Sequence, residues 1–198
     1  MKILRMAALA LVLSVFAAPL TAQMLGSDGE KFISAVREAD GTKVMDLLNA
    51  RGSTVINYRD YKGDTALVIV ARRRGDWLGF LLGKGADPNV GDAKGDTPLI
   101  IVSRIGYYEG VRILLGARAK VDLANKLGET ALIVAVQGRQ PQTVRLLLAA
   151  GANPDKADHA AGYSARDYAK QDRRSTELLK LIETVKPTAK TSVGPSIK

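Results

Sequence analysis

Asp92-Ala93-Lys94-Gly95-Asp96-Thr97-Pro98-Leu99-Ile100-Ile101-Val102 is the stretch on which the architecture turns. Its second half is β-branched and, judged on propensity alone, reads as a short buried strand. Its first half argues for a helix. Gly95 allows the backbone reversal of a tight turn. Thr97 offers a side-chain oxygen to the N–H groups of a first helical turn. Pro98 has the fixed φ and the missing N–H that suit the first helical position, and Asp96 lies beside the positive end of the resulting dipole. The frame recurs as Asp60-Tyr61-Lys62-Gly63-Asp64-Thr65-Ala66-Leu67 and as Asn125-Lys126-Leu127-Gly128-Glu129-Thr130-Ala131-Leu132. Thr65, Thr97 and Thr130 are 32 and 33 residues apart. A period of that length marks a repeat solenoid. The caps and the period outweigh local propensity, so Leu67–Val70, Leu99–Val102 and Leu132–Val134 are expected to be helical.

Working outward, each segment runs on to a second landmark, Leu81-Leu82, Leu114-Leu115 and Leu146-Leu147-Leu148, and then to a small-residue turn, Gly85-Ala86-Asp87-Pro88-Asn89, Gly116-Ala117-Arg118-Ala119 and Gly151-Ala152-Asn153-Pro154. Val44, Val111 and Val144 precede the Leu groups and are expected to face neighbouring helices. Pro141 falls where the second helix of the fourth unit should begin. Downstream, Gly162 to Ala169 continues the frame, with Leu178, Leu181 and Ile182 at second-helix positions and Ala160-Ala161 lengthening the turn. Upstream, Phe32, Ala35, Val44, Leu47 and Leu48 fit it without the Gly-x-Thr turn. Five units result, at about 29–59, 60–91, 92–124, 125–157 and 158–185, with atypical ends because a terminal unit has one face without a neighbour.

These units resemble ankyrin repeats, whose pattern is a turn with Gly-x-Thr-Pro-Leu-His, a short helix, a second helix with paired Leu, and Gly-Ala-x-x-Asn. The resemblance implies an all-α solenoid of about ten helices in antiparallel pairs, with β-turn fingers. The sequence departs from the pattern where the family has His: Val68, Ile100 and Ile133 stand there. Apolar packing between repeats is expected in place of a Thr–His network.

The resemblance also implies where a partner would be gripped, namely by the turn tips and the exposed side of the first helices. Carried over by position, the tips are Arg59, Tyr61, Lys62 and Asp64, then Lys94 and Asp96, then Lys126 and Glu129, then Tyr163. The helix positions seven residues past the Thr are Arg37, Arg72, Arg104, Gln137 and Gln171, with Arg73 and Arg74 alongside. Stacked repeats would line Arg37, Arg72 and Arg104 into an exposed basic row, available to a protein with an acidic surface. Tyr58, Tyr61, Tyr107 and Tyr108 lie near this region, and Tyr is enriched at interfaces. The plainer reading is a solvated polar face.

Composition removes much else. The 198 residues hold 46% hydrophobic and 25% charged residues, which are globular values. With no Cys and one His, disulfides, thiolate or His-cluster metal sites and Cys nucleophiles are excluded. His159 lies in a turn with no nucleophile in register and is expected to be an exposed turn residue. Asp60, Asp92 and Asp158, with Asn125 in the same series, read as turn-formers. They come one per repeat, which suits neither a carboxylate pair nor a calcium cage. The glycines keep the repeat period, so no phosphate-binding loop is present. No catalytic, cofactor or metal residues are therefore assigned.

Residues 1–22 form a separate segment. Lys2 and Arg5 precede an apolar run from Met6 to Leu20, and Thr21-Ala22 lead into polar Gln23. That is the layout of a secretory signal peptide, and the run is short of the roughly 20 residues a membrane span needs. Cleavage is expected after Ala22, with Ala17 as an alternative. Without paired arginines the general secretion route is favoured. Removing the segment takes the net charge from +9 to +7. Residues 23–28 read as a short linker and 186–198 as a basic disordered tail. The expectation is an exported bacterial, periplasmic or secreted, monomeric protein-binding module with no membrane span after processing and no nucleic-acid role. Alternatives are an immunity or inhibitor protein for one exported enzyme, a host-directed effector, or an enzyme using the carboxylates set aside above.

Overall fold

The computed structural model describes residues 27–172 and 176–186. The expected leader lies outside the described residues, as does all of the expected tail but Lys186. Among the described residues ten helices follow in order: α1 (Asp28–Glu38), α2 (Gly41–Asn49), α3 (Ala66–Arg73), α4 (Trp77–Gly83), α5 (Pro98–Arg104), α6 (Tyr108–Gly116), α7 (Ala131–Gln137), α8 (Pro141–Ala149), α9 (Ala165–Gln171) and α10 (Thr176–Thr184). A 3₁₀ turn, Val55–Asn57, follows α2. The described residues contain no strand, only isolated backbone bridges between Ala124 and Thr130 and between Ala157 and Ser164 at the bases of the last two fingers.

Side-chain caps open the first helices of the units. The hydroxyls of Thr65, Thr97 and Thr130 accept from the N–H groups of Val68, Ile100 and Ile133 at 3.2, 3.3 and 3.3 Å. Each satisfies an N–H that the first turn leaves without a carbonyl. Ser164 does the same in the last unit and forms a capping box with Asp167. Pro98 and Pro141 stand in the first turns of α5 and α8. The first unit differs: α1 is capped by Ser27, so it gains a turn at its start, and the expected linker ends at that cap.

First helices pack in a row, α1 on α3, α3 on α5, α5 on α7 and α7 on α9. Second helices form another row, with α4 on α6, α6 on α8 and α8 on α10. Between the rows lies one continuous core. Leu67, Leu99 and Leu132 are fully buried in the first row, and Leu81, Leu114 and Leu147 in the second. Val68, Ile100 and Ile133 are also fully buried. Where the family pattern has a polar His, this solenoid therefore joins its repeats by apolar contact.

The loops opposite the fingers are laced by side-chain acceptors one repeat apart. Asn57, Asn89 and Asp122 accept from the backbone N–H groups of Asp87, Lys120 and Asn153, each at 2.8 Å. These bonds meet backbone donors that the turns would otherwise leave unpaired, and they fix the spacing of successive units.

Candidate protein-binding face

The finger side is built on turn residues. Asp60 Oδ1 accepts from Lys62 N–H at 2.9 Å and Asp64 N–H at 2.8 Å. Asp92 holds Lys94 and Asp96 the same way, and Asn125 holds Leu127 and Glu129, over 2.8 to 3.0 Å. Asp158 takes three N–H groups, those of Ala160, Ala161 and Gly162, which is how the longer last turn is closed. The turn-forming role read from the sequence is thus one oxygen of each side chain.

The other oxygens meet the arginine row. Arg37 pairs with Asp60 Oδ2. Arg72 forks between Asp64 Oδ2 at 2.7 Å and Asp92 Oδ2 at 2.5 Å. Arg104 bridges Asp96 at 3.2 Å and Glu129 at 3.0 Å. Asn125 Nδ2 donates to Asp96 and Glu129 at 2.7 and 2.8 Å. In the last unit the Tyr168 hydroxyl donates to Asp158 Oδ2 at 2.6 Å. Each Arg joins a first helix to its own finger, the next finger, or both, so the row is an internal ladder across the repeats.

The ladder revises the expectation of an available basic row. Three guanidiniums are shared among five carboxylates, so the row is internally paired and not a free basic stripe. The physical reason is reach: an arginine at the seventh position past the cap extends back over the finger, and its planar fork spans two carboxylates. Burial works to raise the Asp60 carboxyl, but the N–H of Asp64, the Arg37 guanidinium and the N–H of Lys62 together hold it below its ordinary range. Burial likewise opposes ionisation of Glu129, and Arg104 with Asn125 overcomes it. At Asp158 the Tyr168 hydroxyl and the backbone donors win against burial. Burial works to lower the Arg72 guanidinium, and its two carboxylates hold it above its ordinary value.

The remaining candidates separate into two groups. Arg73 donates to the Arg37 carbonyl at 2.6 Å, and Arg74 reaches the Ile105 carbonyl. Arg59, Lys62, Lys94 and Lys126 are exposed, and none has an ion-pair partner among the described residues. Tyr61 is 80% exposed, with the Lys62 ammonium 5.4 Å from its ring centre. Tyr163 is exposed and meets Tyr168 edge-on at 5.6 Å. Gln137 and Gln171 are exposed at the ends of α7 and α9, and His159 is exposed in its turn. Tyr58, by contrast, is half-buried and donates to Glu30 at 2.9 Å.

Residues 68–158 match the family model for ankyrin repeats, in three copies. Residues 68–158 carry ankyrin repeats. No curated protein matches it. Ankyrin repeats are generally protein–protein interaction modules and typically non-catalytic. In this ankyrin solenoid the third and fourth fingers flank an open groove of about 630 Å³, lined by Lys94, Arg104, Lys126 and Leu127 and by the carboxylates Asp96 and Glu129 among others. Leu127 is 55% exposed and had no place in the sequence-based site. Its signal was there: counted from the Thr cap, Leu127 holds the position of Lys62 and Lys94. A second concavity, about 400 Å³ between α1 and α2, has its two lysines, Lys31 and Lys43, paired with Asp28 and Asp40. Among the described residues no helix is long and apolar enough to cross a membrane, and no acid or His cluster could hold a metal.

Proposed function

We propose that this ankyrin-repeat chain is an exported, non-catalytic interaction module that grips an acidic patch of a protein partner along its fingers. The carrying observation is the division of charge. Carboxylates at the finger bases are engaged by Arg37, Arg72, Arg104 and backbone N–H groups, while Lys62, Lys94 and Lys126 stand exposed beside Tyr61 and Leu127 with no ion-pair partner among the described residues. Unpaired cations next to exposed aromatic and aliphatic side chains suit a partner that brings both acid and apolar surface. Export rests on the leader-like composition of residues 1–22.

The test is affinity capture from periplasmic extract with the processed chain, followed by binding of the purified partner. Lys94→Glu with Lys126→Glu should weaken it strongly, since reversal adds like-charge contacts as well as removing favourable ones. Arg112→Glu with Arg145→Glu, on the exposed side of α6 and α8, should leave it intact. Equal binding by both double variants would place the working surface elsewhere.

A further inference from the structure

We infer that the two ends of the solenoid are complementary surfaces on which copies of this chain stack head to tail, the open side of the first unit receiving the last unit of another copy. The partner here is a second copy of the chain, in place of the monomer expected from the sequence. Stacked ends leave the lysine-bearing fingers uncovered.

The repeat period shows which side chains the ends expose. The middle units have a neighbour on each side. There Leu67, Leu99 and Leu132, two residues past the cap, are buried, and so are Ala71, Ser103 and Val136, six past it. In the last unit those two positions are Arg166, half-buried, and Lys170, exposed. They lie on the side that a sixth unit would cover. The first unit lacks the neighbour before it. Ser34 is exposed where Ile69, Ile101 and Val134 are buried, and Leu47 is half-buried where Leu81, Leu114 and Leu147 are fully buried. With Glu38 and Asp46, these two line the concavity of about 400 Å³ between α1 and α2.

The ends carry opposite charge. Residues 27–49 have five acids and three bases, a net −2, while residues 158–198 have eight bases and five acids, a net +3. At the first end Lys31 and Lys43 are paired with Asp28 and Asp40, and exposed Glu38 and Asp46 have no ion-pair partner among the described residues. At the last end Arg166 is paired with Asp155, and exposed Lys170 and Lys180 have no ion-pair partner among the described residues. Like ends repel each other, whereas head-to-tail contact sets acid against base.

The groove suits a lysine. Buried Ala35 and half-buried Leu47 lie beneath exposed Glu38 and Asp46. A lysine lays its apolar stem along such a floor and keeps its ammonium at the polar edge. The helix rows make the approach available. First helices already pack in series from α1 on α3 to α7 on α9, so α1 of one copy laid against α9 of another continues the row. Both ends are polar where the middle units are apolar, so this contact is weaker than an internal junction and is held mainly by charge. A heterologous contact of this kind does not close, and it builds dimers and then longer chains.

Sedimentation velocity of the processed full chain at rising concentration tests this. At low salt the average mass should climb past the dimer, and salt at about 1 M, where the Debye length is about 3 Å, should return the chain to monomer. Glu38→Gln with Asp46→Asn should weaken association about tenfold, and so should Lys170→Gln with Lys180→Gln, neither moving the unfolding temperature. Mixed in equal amounts, these two variants keep one intact end each and should form a one-to-one dimer that does not grow. A chain that stays monomeric at low salt overturns the inference, the outcome expected if residues before Ser27 cover the groove. Association that survives the last-end variant means head-to-head pairing and also overturns it. So does association that is lost on Lys94→Gln with Lys126→Gln and not on the end variants, which places the contact at the fingers.

Discussion

Arg72 carries two structural jobs through one planar group. It holds the finger of its own repeat through Asp64 and the finger of the next through Asp92. Its side chain is 41% exposed while that of Asp92 is 6% exposed, so solvent screens the Arg more than its partner. Discounted for that screening, Arg72→Ala should lower stability by about 1 kcal/mol, read from the midpoint of urea unfolding. Arg72→Lys should recover little, because an ammonium cannot fork between two carboxylates. Arg112→Ala, which breaks an exposed pair with Glu109 within one helix, should leave the midpoint where it is. Matching losses for Arg72→Ala and Arg112→Ala would mean the ladder contributes nothing beyond a surface pair. Half of this geometry was legible in the chain. Asp92 Oδ1 serves its own turn, and turn-forming is a local property that residue type announces. Asp92 Oδ2 serves a guanidinium that starts twenty residues away. The period showed that Arg37, Arg72 and Arg104 share a column, but not that the column leans over the fingers.

The helices and fingers differ in how far local sequence determined them. In α3, α5 and α7 the β-branched runs are helical because Thr caps, Pro98 and burial on both sides settle what propensity leaves open. Those devices stand in the sequence, which is why the helices were readable. The fingers depend on close approach between repeats, which no single turn announces. Gly95 shows it: φ is +81°, and an added Cβ would lie 3.1 Å from Lys126 N and 3.3 Å from Asn125 Cα. Gly151 has a similar φ of +89° with nothing within 4 Å. Both substitutions to Ala incur the left-handed backbone strain, about 1 kcal/mol, but only Gly95→Ala also presses on the next finger. Gly95→Ala should therefore cost about 2 kcal/mol and Gly151→Ala about 1 kcal/mol, with the difference seen in thermal unfolding. Indistinguishable losses would remove finger stacking as a source of stability. Leu127 escaped the sequence reading for a related reason. An apolar residue in a repeat is taken for core until its finger is seen to hold it out to solvent.

Across the whole molecule, each repeat touches only its neighbours, so stability is a chain of junctions. Leu114 is fully buried in α6, and Leu114→Ala should cost about 2–5 kcal/mol and loosen the units on either side of it. Acid tests all the ladder junctions at once. Asp60 joins α1 to the second finger, Glu129 joins α5 to the fourth, and Asp158 with Tyr168 closes the fifth. All three carboxyls are held below their ordinary values, which are 3.8 for Asp60 and Asp158 and 4.5 for Glu129. A depressed folded pKa means the unfolded chain takes up protons first as pH falls. The stabilisation is then fully present above the ordinary values and is lost as pH drops through the lower folded ones. Unfolding temperature should be nearly flat between about pH 5 and 7 and fall below about pH 4. Glu129→Gln keeps an acceptor for Arg104 but cannot titrate, so it should lower stability at neutral pH and reduce the steepness of the acid loss. Because the junctions act in series, the loss should also broaden the transition, as terminal units come apart before the central ones that have neighbours on both sides. Stability that rises on acidification, or a Glu129→Gln profile parallel to that of the parent chain, would show that the carboxylates do not couple the repeats.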